Sequence, residues 1–600
     1  MQLKKEQEIP GRPFMQIDPG GIKTLIDTAL GKVKADMVIA GADLVNVYSG
    51  ELLKGQSVAI KGDRIAYVGE NAQHTIGPDT HVIDARGKTL IPGLIDSHTH
   101  LLAHYTVDEF LRYAMRGGTT AIISETVELV VILGYRGVQQ FLEATENQPV
   151  KIFATVAPLI TISPATRLNT VQPRMLRRLL KQRRVLGLGE SFWQYVLQEE
   201  DGMFQLYAET LNSGKTVEGH SAGARGNKLA AYIASGVSSC HEPVTAGEVL
   251  ERVRLGIHTM IREGASRRDL EAVASIKDEL IDFRRLVLVT DSVEPGHLME
   301  QGYMEFVVQK AIDLGFDPIV AIQMATLNAA EHFSLDNLIG GIAPGKCADM
   351  VLIPDLRTIQ AEMVISNGQI IAQNGQVLLS PRKHAYSRST MRSVRLPRKL
   401  EPADFHIRVD GEDKPVTVRI INQVAVTLTK EEQIVMIPER GFLEADIGRD
   451  ILKVAVIERV SGQGKMFTGF IKGFGLKKGA IAASAIWGLS GIVVVGATDE
   501  DMAGAVNRIF ALQGGAVVYE GGDVLAEVPL PVGGKVSELP IEVLSQGFDD
   551  VQERTAELGT SLPNVHLSLT ALTTAAIPFF RICEEGLMDI KKGELVDLIV

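Results

Sequence analysis

The chain has 600 residues, 45% of them hydrophobic and 22% charged, a composition that suits a folded globular protein long enough for several domains. Lys plus Arg number 61 against 73 Asp plus Glu, a formal net charge of −12, which argues against nucleic acid or an anionic membrane surface as the main partner and favours a small molecule. Three cysteines, Cys240, Cys347 and Cys583, are too few for a disulfide framework; with no apolar signal core near the start and no apolar run long enough to span a bilayer, they predict a cytoplasmic protein.

In chain order, residues 1–34 read as a polar N-terminal leader with one short helix. From 35 to 88 the text turns to short Val- and Ile-rich runs broken by Gly and Asp, "DMVIAGADLVNVYSG" and "SVAIKGDRIAYVGE" among them, the pattern of strands and tight turns. The same texture returns at 341–380 in "GGIAPGKCADMVLIPDL", so the two stretches are expected to build one small β-sandwich domain split by an insertion. Residues 89–340 alternate apolar strands ("TTAIISE", "KIFATVAPL", "RVLGLGE", "KTVEGH", "VSSCHE", "RLVLVTD") with helical patterns such as "TVDEFLRYAMRGG". That alternation predicts a parallel (β/α)8 barrel of the TIM type, within an α/β fold class. The barrel's last helix is expected to run through "DPIVAIQMATLNAAEHF", with Asp317 as N-cap and Pro318 in the first turn. A basic linker with few apolar residues, 381–404, leads to a C-terminal α+β domain at 405–600.

The chemistry gathers at strand ends. "IPGLIDSHTH" closes its apolar run with His98 and His100, placed so that both rings reach one face of a strand. "LGLGES" ends in Glu190, "TVEGH" in His220, "VSSCHE" in His241 and Glu242, and "LVLVTDS" in Asp291. In a parallel barrel the C-terminal strand ends meet at one mouth. His98, His100, Glu190, His220, His241 and Asp291 are therefore expected to share it, and imidazole with carboxylate suits zinc, iron or manganese. A single H-x-H pair is more often structural; its company at strand after strand carries the metal reading. His104 is close enough in sequence to line the mouth, whereas His258, His297 and His332 read as satisfied or solvated histidines.

This set resembles the amidohydrolase superfamily. The longer strings "GLGE", "GHSAG", "AAYIASGVSSCHE", "RLGIHTMIREGASRRDLEA", "AIQMATLNAAEHF" and "GFGLKKGAIAAS" resemble the bacterial adenine deaminases, over nearly the whole chain. The resemblance implies two divalent metal ions (iron, manganese or zinc): one on His98, His100 and Asp291, one on His220 and His241, with Glu190 bridging them. It implies hydrolytic deamination of adenine to hypoxanthine and ammonia. The chain departs from the family pattern at Val127, Glu294 and Val460, each standing where a histidine is expected, and at "AIWGLSG" around Trp487, which replaces a polar cluster. Hydrolysis of another purine-like ring or a cyclic amide at the same metal pair stands as the alternative.

For the reaction, Asp291 is placed as ligand and base, to take a proton from the attacking water and hand it to the leaving nitrogen. Glu242 is the candidate acid toward a ring nitrogen, or the partner that orients His241. Glu125 and Arg262 are candidates for substrate contact, and Glu128 reads as a solvated loop carboxylate. The C-terminal domain is expected to cover the barrel mouth or make subunit contacts, and the chain is expected to be a homo-oligomer.

Overall fold

The computed structural model describes residues 18–600 apart from 159–161, 164, 165, 167–170, 198–200, 280, 281, 410–413 and 578. Residues 1–17, half of the polar leader, thus lie outside the described residues. Its helix is Pro19–Ala29, opened by Asp18, whose carboxylate accepts from the Gly21 N–H at 2.7 Å, an ordinary N-cap.

The Val- and Ile-rich runs at both ends of the barrel segment join in one nine-stranded sheet. Its centre is Met37–Asn46, antiparallel to Glu51–Lys61 and parallel to Thr89–Pro92. The late strand Met350–Ile353 enters beside Thr89–Pro92, so residues 89–92, expected to open the barrel, belong to this sheet. The buried face carries Ile39, Leu44, Val58, Ile60, Leu90, Met350 and Ile365.

Between these strands lie eight parallel ones: β1 (Leu94–Thr99), β2 (Thr119–Glu125), β3 (Lys151–Val156), β4 (Val185–Phe192), β5 (Thr216–His220), β6 (Ser239–Cys240), β7 (His258–Arg262) and β8 (Leu286–Val289). β1 to β5 pair in sequence order, as do β6 to β8. The Ser238 N–H donates to the Val217 carbonyl at 2.9 Å at one seam, and the Asp291 N–H to the His98 carbonyl at 3.0 Å at the other. The strands therefore close into a TIM-like barrel. β7 has no counterpart among the strands expected from the sequence. Its text, "HTMIR", opens and closes on polar residues and hides the apolar run that marks the others.

The helix expected through "DPIVAIQMATLNAAEHF" is broken in two, Pro318–Met324 and Leu327–His332. Asp317 caps it as expected, accepting from the Ile319 and Val320 N–H groups. The break has a cause in the barrel: the Ala325 carbonyl leaves the helix to accept from the Ile95 N–H of β1 at 2.8 Å.

The C-terminal region is α+β. Eight strands form one sheet, ordered Thr429–Met436, Val416–Gln423, Met466–Lys472, Ile451–Glu458, Gly491–Gly496, Ala480–Ala483, Gly515–Glu520, Asp523–Pro529. The helices Asp499–Leu512 and Ile541–Glu557 pack against it. The segment 381–404 is less solvated than its composition suggests, since Val394, Leu396 and Leu400 are buried in this region's core. Among the described residues no helix is long and apolar enough to cross a membrane.

Candidate metal centre and its cavity

The six ligand-type side chains are delivered by five strand ends. His98 is the penultimate residue of β1 and His100 follows it; Glu190 lies near the end of β4; His220 ends β5; His241 follows β6; Asp291 lies just beyond β8. The pairing register slips immediately before two of these positions, between Asp96 and Thr99 and between Val217 and Gly219, which re-aims the side chains that follow. Glycine is required beside the ligands. A Cβ on Gly189 would stand 2.1 Å from Glu125 Oε2, and one on Gly219 would stand 2.2 Å from the Ser239 carbonyl oxygen. Asp291 adopts φ +60° and Ser292 φ +145°, a turn unusual for residues with side chains and worth about 1–3 kcal/mol of strain each.

The six side chains converge as two groups that share Glu190. His98 Nε2 and His100 Nε2 lie 3.3 and 3.5 Å from Asp291 Oδ1, and 3.6 and 3.5 Å from Glu190 Oε1. On the other side Glu190 Oε1 lies 3.4 Å from His241 Nε2 and 3.9 Å from His220 Nδ1. These separations are mostly too long for good hydrogen bonds. A metal–donor distance of about 2.1 Å places two ligands of a tetrahedral ion roughly 3.4 Å apart, which is the spacing found. His98 Nε2, His220 Nδ1 and His241 Nε2 are buried without a hydrogen-bond partner, and buried polar atoms rarely stay so. The donor set and its spacing fit divalent metal.

The electrostatics agree. Burial disfavours charge on every member, yet the surrounding imidazoles hold Glu190 and Asp291 well below the usual carboxylate range. The carboxylates in turn overcome burial to push His100 and His241 well above the imidazole range. Without an ion the imidazole protons balance these carboxylates, and a bound cation would displace those protons.

A second ring of groups fixes the ligands. His100 Nδ1 lies 2.6 Å from Glu128 Oε1. Glu128 is therefore not a solvated loop carboxylate; it is buried on the first turn of the helix Val127–Leu133. Asp96, fully buried, accepts from the Thr290 and Tyr303 hydroxyls at 2.5 and 2.6 Å and from the His98 N–H at 3.2 Å, and burial pushes its pKa up to about 6. The His220 N–H donates to the Tyr232 hydroxyl at 2.9 Å, which itself donates to the Ser191 carbonyl. The far nitrogen of His220 faces the Ala576 carbonyl of the C-terminal region at 3.3 Å. Sequence spacing gives no sign of Glu128, Tyr232 or Ala576, because none follows an apolar run as a ligand does.

The remaining candidates sort by geometry. Glu125 is 1% exposed and accepts from Thr155 Oγ1 at 2.8 Å and the Glu190 N–H at 3.2 Å. It lies behind the ligands, away from the cavity wall, so its expected substrate contact is replaced by support of Glu190. Burial and then the neighbouring Glu190 push its pKa up to about 7. Arg262 reaches three carboxylates: Glu242 at 2.6 Å, Asp269 at 3.1 Å and Asp291 at 3.4 Å. Glu242 Oε1 also lies 3.2 Å from His241 Nε2. Against the effect of burial, Arg262 and the two histidines hold Glu242 well below the carboxylate range, which disfavours the proton donor, and its contact with the donor nitrogen of His241 disfavours the orienting partner. His332 pairs with Glu218 at 2.9 Å and His258 rests against it. Cys240 is a buried thiol beside the Ser221 hydroxyl.

Over the ligands lies a cavity of about 390 Å³, floored by His100, Glu190, His220, His241 and Asp291. Its roof comes from the C-terminal region, with Trp487, Lys535, His566, Thr570 and Ile577. Of the departures from the family pattern, Val127, Glu294 and Trp487 line this cavity and Val460 does not.

Residues 426–594 match the Adenine deaminase C-terminal domain family and residues 89–378 the Amidohydrolase family. An adenine deaminase of Clostridium botulinum (strain Loch Maree / Type A3) is 36% identical over 585 residues, 96% of this chain and 97% of that one. This chain belongs to the adenine deaminase family. The adenine deaminase of Moorella thermoacetica is 35% identical across 98% of this chain and 99% of its own length, and adenine deaminase 3 of Rhizobium meliloti is 35% identical across 98% and 100%. An enzyme of the amidohydrolase type is what the six converging side chains build.

Proposed function

We propose that this enzyme hydrolyses adenine to hypoxanthine and ammonia, with a pair of divalent ions, iron, manganese or zinc, held by His98, His100, Asp291, His220 and His241 and bridged by Glu190. The observation that carries it is the set of near-tetrahedral donor spacings around Glu190 and Asp291, with buried imidazole nitrogens that have no other partner. Such ions, when bound, supply a water-derived nucleophile at neutral pH. The protein's own groups do the rest. Ser266 donates to Asp291 Oδ2 at 2.6 Å, which fixes the carboxylate and leaves Oδ1 toward the ligands. Asp291 is thus oriented to accept the proton of the attacking water and return it to the departing amine nitrogen. Glu242, kept ionised by Arg262, accepts a hydrogen bond from the substrate. Phe192 and Trp487 give the cavity aromatic surface for a planar ring, and the C-terminal region roofs it. In this scheme residues 35–88 with 341–380 flank the catalytic barrel. The buried, unpaired cysteines suit the cytoplasm.

The test is ammonia and hypoxanthine release from adenine by enzyme loaded with iron or manganese, against a panel of cyclic amides. Equal molar release of both products is expected. Ring opening of a cyclic amide with no ammonia from adenine would overturn the assignment in favour of the alternative substrate class. Asp291→Asn should lose about 100-fold or more in turnover while keeping part of its metal.

A further inference from the structure

The cavity also has a polar wall, built by both halves of the molecule, that the metal ligands do not supply. The Ser537 N–H donates to the His104 carbonyl at 2.8 Å, which ties the loop after β1 to the turn that carries Lys535. Lys535 is 5% exposed, lines the cavity, and has the Ile486 carbonyl as its hydrogen-bond acceptor. His104 and His566 line the same wall with their rings 5.3 Å apart. His104 Nδ1 and His566 Nε2 are buried without partners.

The charge at this wall is unbalanced. Lys535 forms no ion pair among the described residues. Next to it lies Arg459, fully buried, whose donors go to the carbonyls of Ser393, Ser484, Gly491 and Gly533 and to the Ser393 hydroxyl. A Cβ on Gly534 would stand 2.7 Å from the Arg459 guanidinium, so the turn bearing Lys535 packs directly on that cation. The carboxylate with the clearest influence on Lys535, Glu128, is committed to His100. Burial, despite Glu128, brings the Lys535 pKa down to about 7, and burial brings that of Arg459 down to about 10. An anion in the cavity beside Lys535 would favour its charged form and so complete the ion pair that the protein itself does not supply. There is room for it. At about 30 Å³ per water, 390 Å³ amounts to roughly 13 water volumes, more than the bare adenine ring fills.

We propose that Lys535, with His104 and His566, forms a subsite for a carboxylate carried by the substrate ring, opposite the carbon that faces the metal ligands. The enzyme then takes aminopurines bearing a small acidic group across the ring from the amine, in addition to adenine. This rests on the deaminase function proposed above and extends it to a substrate class. Lys535 supplies a charge-assisted hydrogen bond to the carboxylate, and His104 and His566 form the adjoining cavity wall.

The test compares 9-(carboxymethyl)adenine with its neutral isostere 9-(carbamoylmethyl)adenine on metal-loaded, full-length enzyme. The acid should have the higher kcat/KM by about tenfold or more, the scale of one charge-assisted hydrogen bond. Lys535→Met should bring the ratio close to one. A ratio near one in the unaltered enzyme, or an unchanged ratio in Lys535→Met, overturns the subsite. Fluorescence of Trp487, in the cavity wall, reads binding of the same two compounds without turnover. If adenine releases no ammonia, the proposed function fails. The subsite then stands or falls on whether the acid binds about tenfold tighter than the amide.

Discussion

Glu128 and His100 stand 2.6 Å apart, carboxylate oxygen to ring nitrogen, with the opposite nitrogen of the same ring facing Glu190 and Asp291. A carboxylate in this position fixes the tautomer, orients the ring and raises its basicity as a ligand. Glu128→Gln keeps an acceptor and removes the charge. Metal retention should drop about 10- to 100-fold, read by elemental analysis after graded chelator treatment. Undiminished retention would show that Glu128 does not support the ligand.

Tyr232 joins two ligand strands through one oxygen: it accepts from the His220 N–H and donates to the Ser191 carbonyl. Tyr232→Phe leaves a buried donor and a buried acceptor unmet, and each such loss is worth about 1–3 kcal/mol. The metal-free variant should unfold at lower denaturant than the parent, by a margin of that order. Coincident unfolding curves would mean that water or a backbone shift replaces the hydroxyl.

The barrel was legible because its chemistry obeys one rule repeated along the chain, an apolar strand followed by a ligand-type residue. His98, His220, His241 and Asp291 all follow that rule. Glu128, Tyr232 and Ala576 do not, since they reach the ligands from helices and from the far end of the chain, where spacing holds no record of proximity. β7 was missed because Arg262, at its end, is drawn into a carboxylate cluster and so breaks the apolar run. The split of the final helix at Ala325 depends on a hydrogen bond to Ile95, a contact no local propensity encodes. The roof over the cavity required the fold itself.

Lys151 on β3 and Asp349 before the late strand Met350–Ile353 form an ion pair at 2.6 Å, 1% and 5% exposed. It couples the barrel to the flanking sheet. Removing one partner strands the other charge in a dry site, at about 3–5 kcal/mol, whereas an apolar pair of similar volume is often neutral. Lys151→Met should therefore lower the unfolding midpoint sharply, and Lys151→Met with Asp349→Leu should recover much of the loss. A double variant no better than the single would assign the loss to packing instead of charge.

Glu305 offers a stability test remote from the metal site. Its Oε1 accepts from the Tyr303 N–H at 3.1 Å, while Oε2 is buried with no partner and lies where a Cβ on Gly117 would be, 1.8 Å away. Burial pushes its pKa up to about 7, from an ordinary 4.5. The folded value is above the unfolded one, so the favourable contribution is complete below about pH 4.5 and is lost as pH rises through about 7. The parent protein should lose thermal stability between about pH 5 and pH 8.5 more steeply than Glu305→Gln, which keeps the acceptor for Tyr303 without a titrating proton. Near pH 8 the variant should be more stable by about 1–3 kcal/mol, an upper bound set by 1.36 kcal/mol per pKa unit. Parallel pH profiles for the two proteins would mean that Glu305 ionises freely and that solvent reaches its carboxylate.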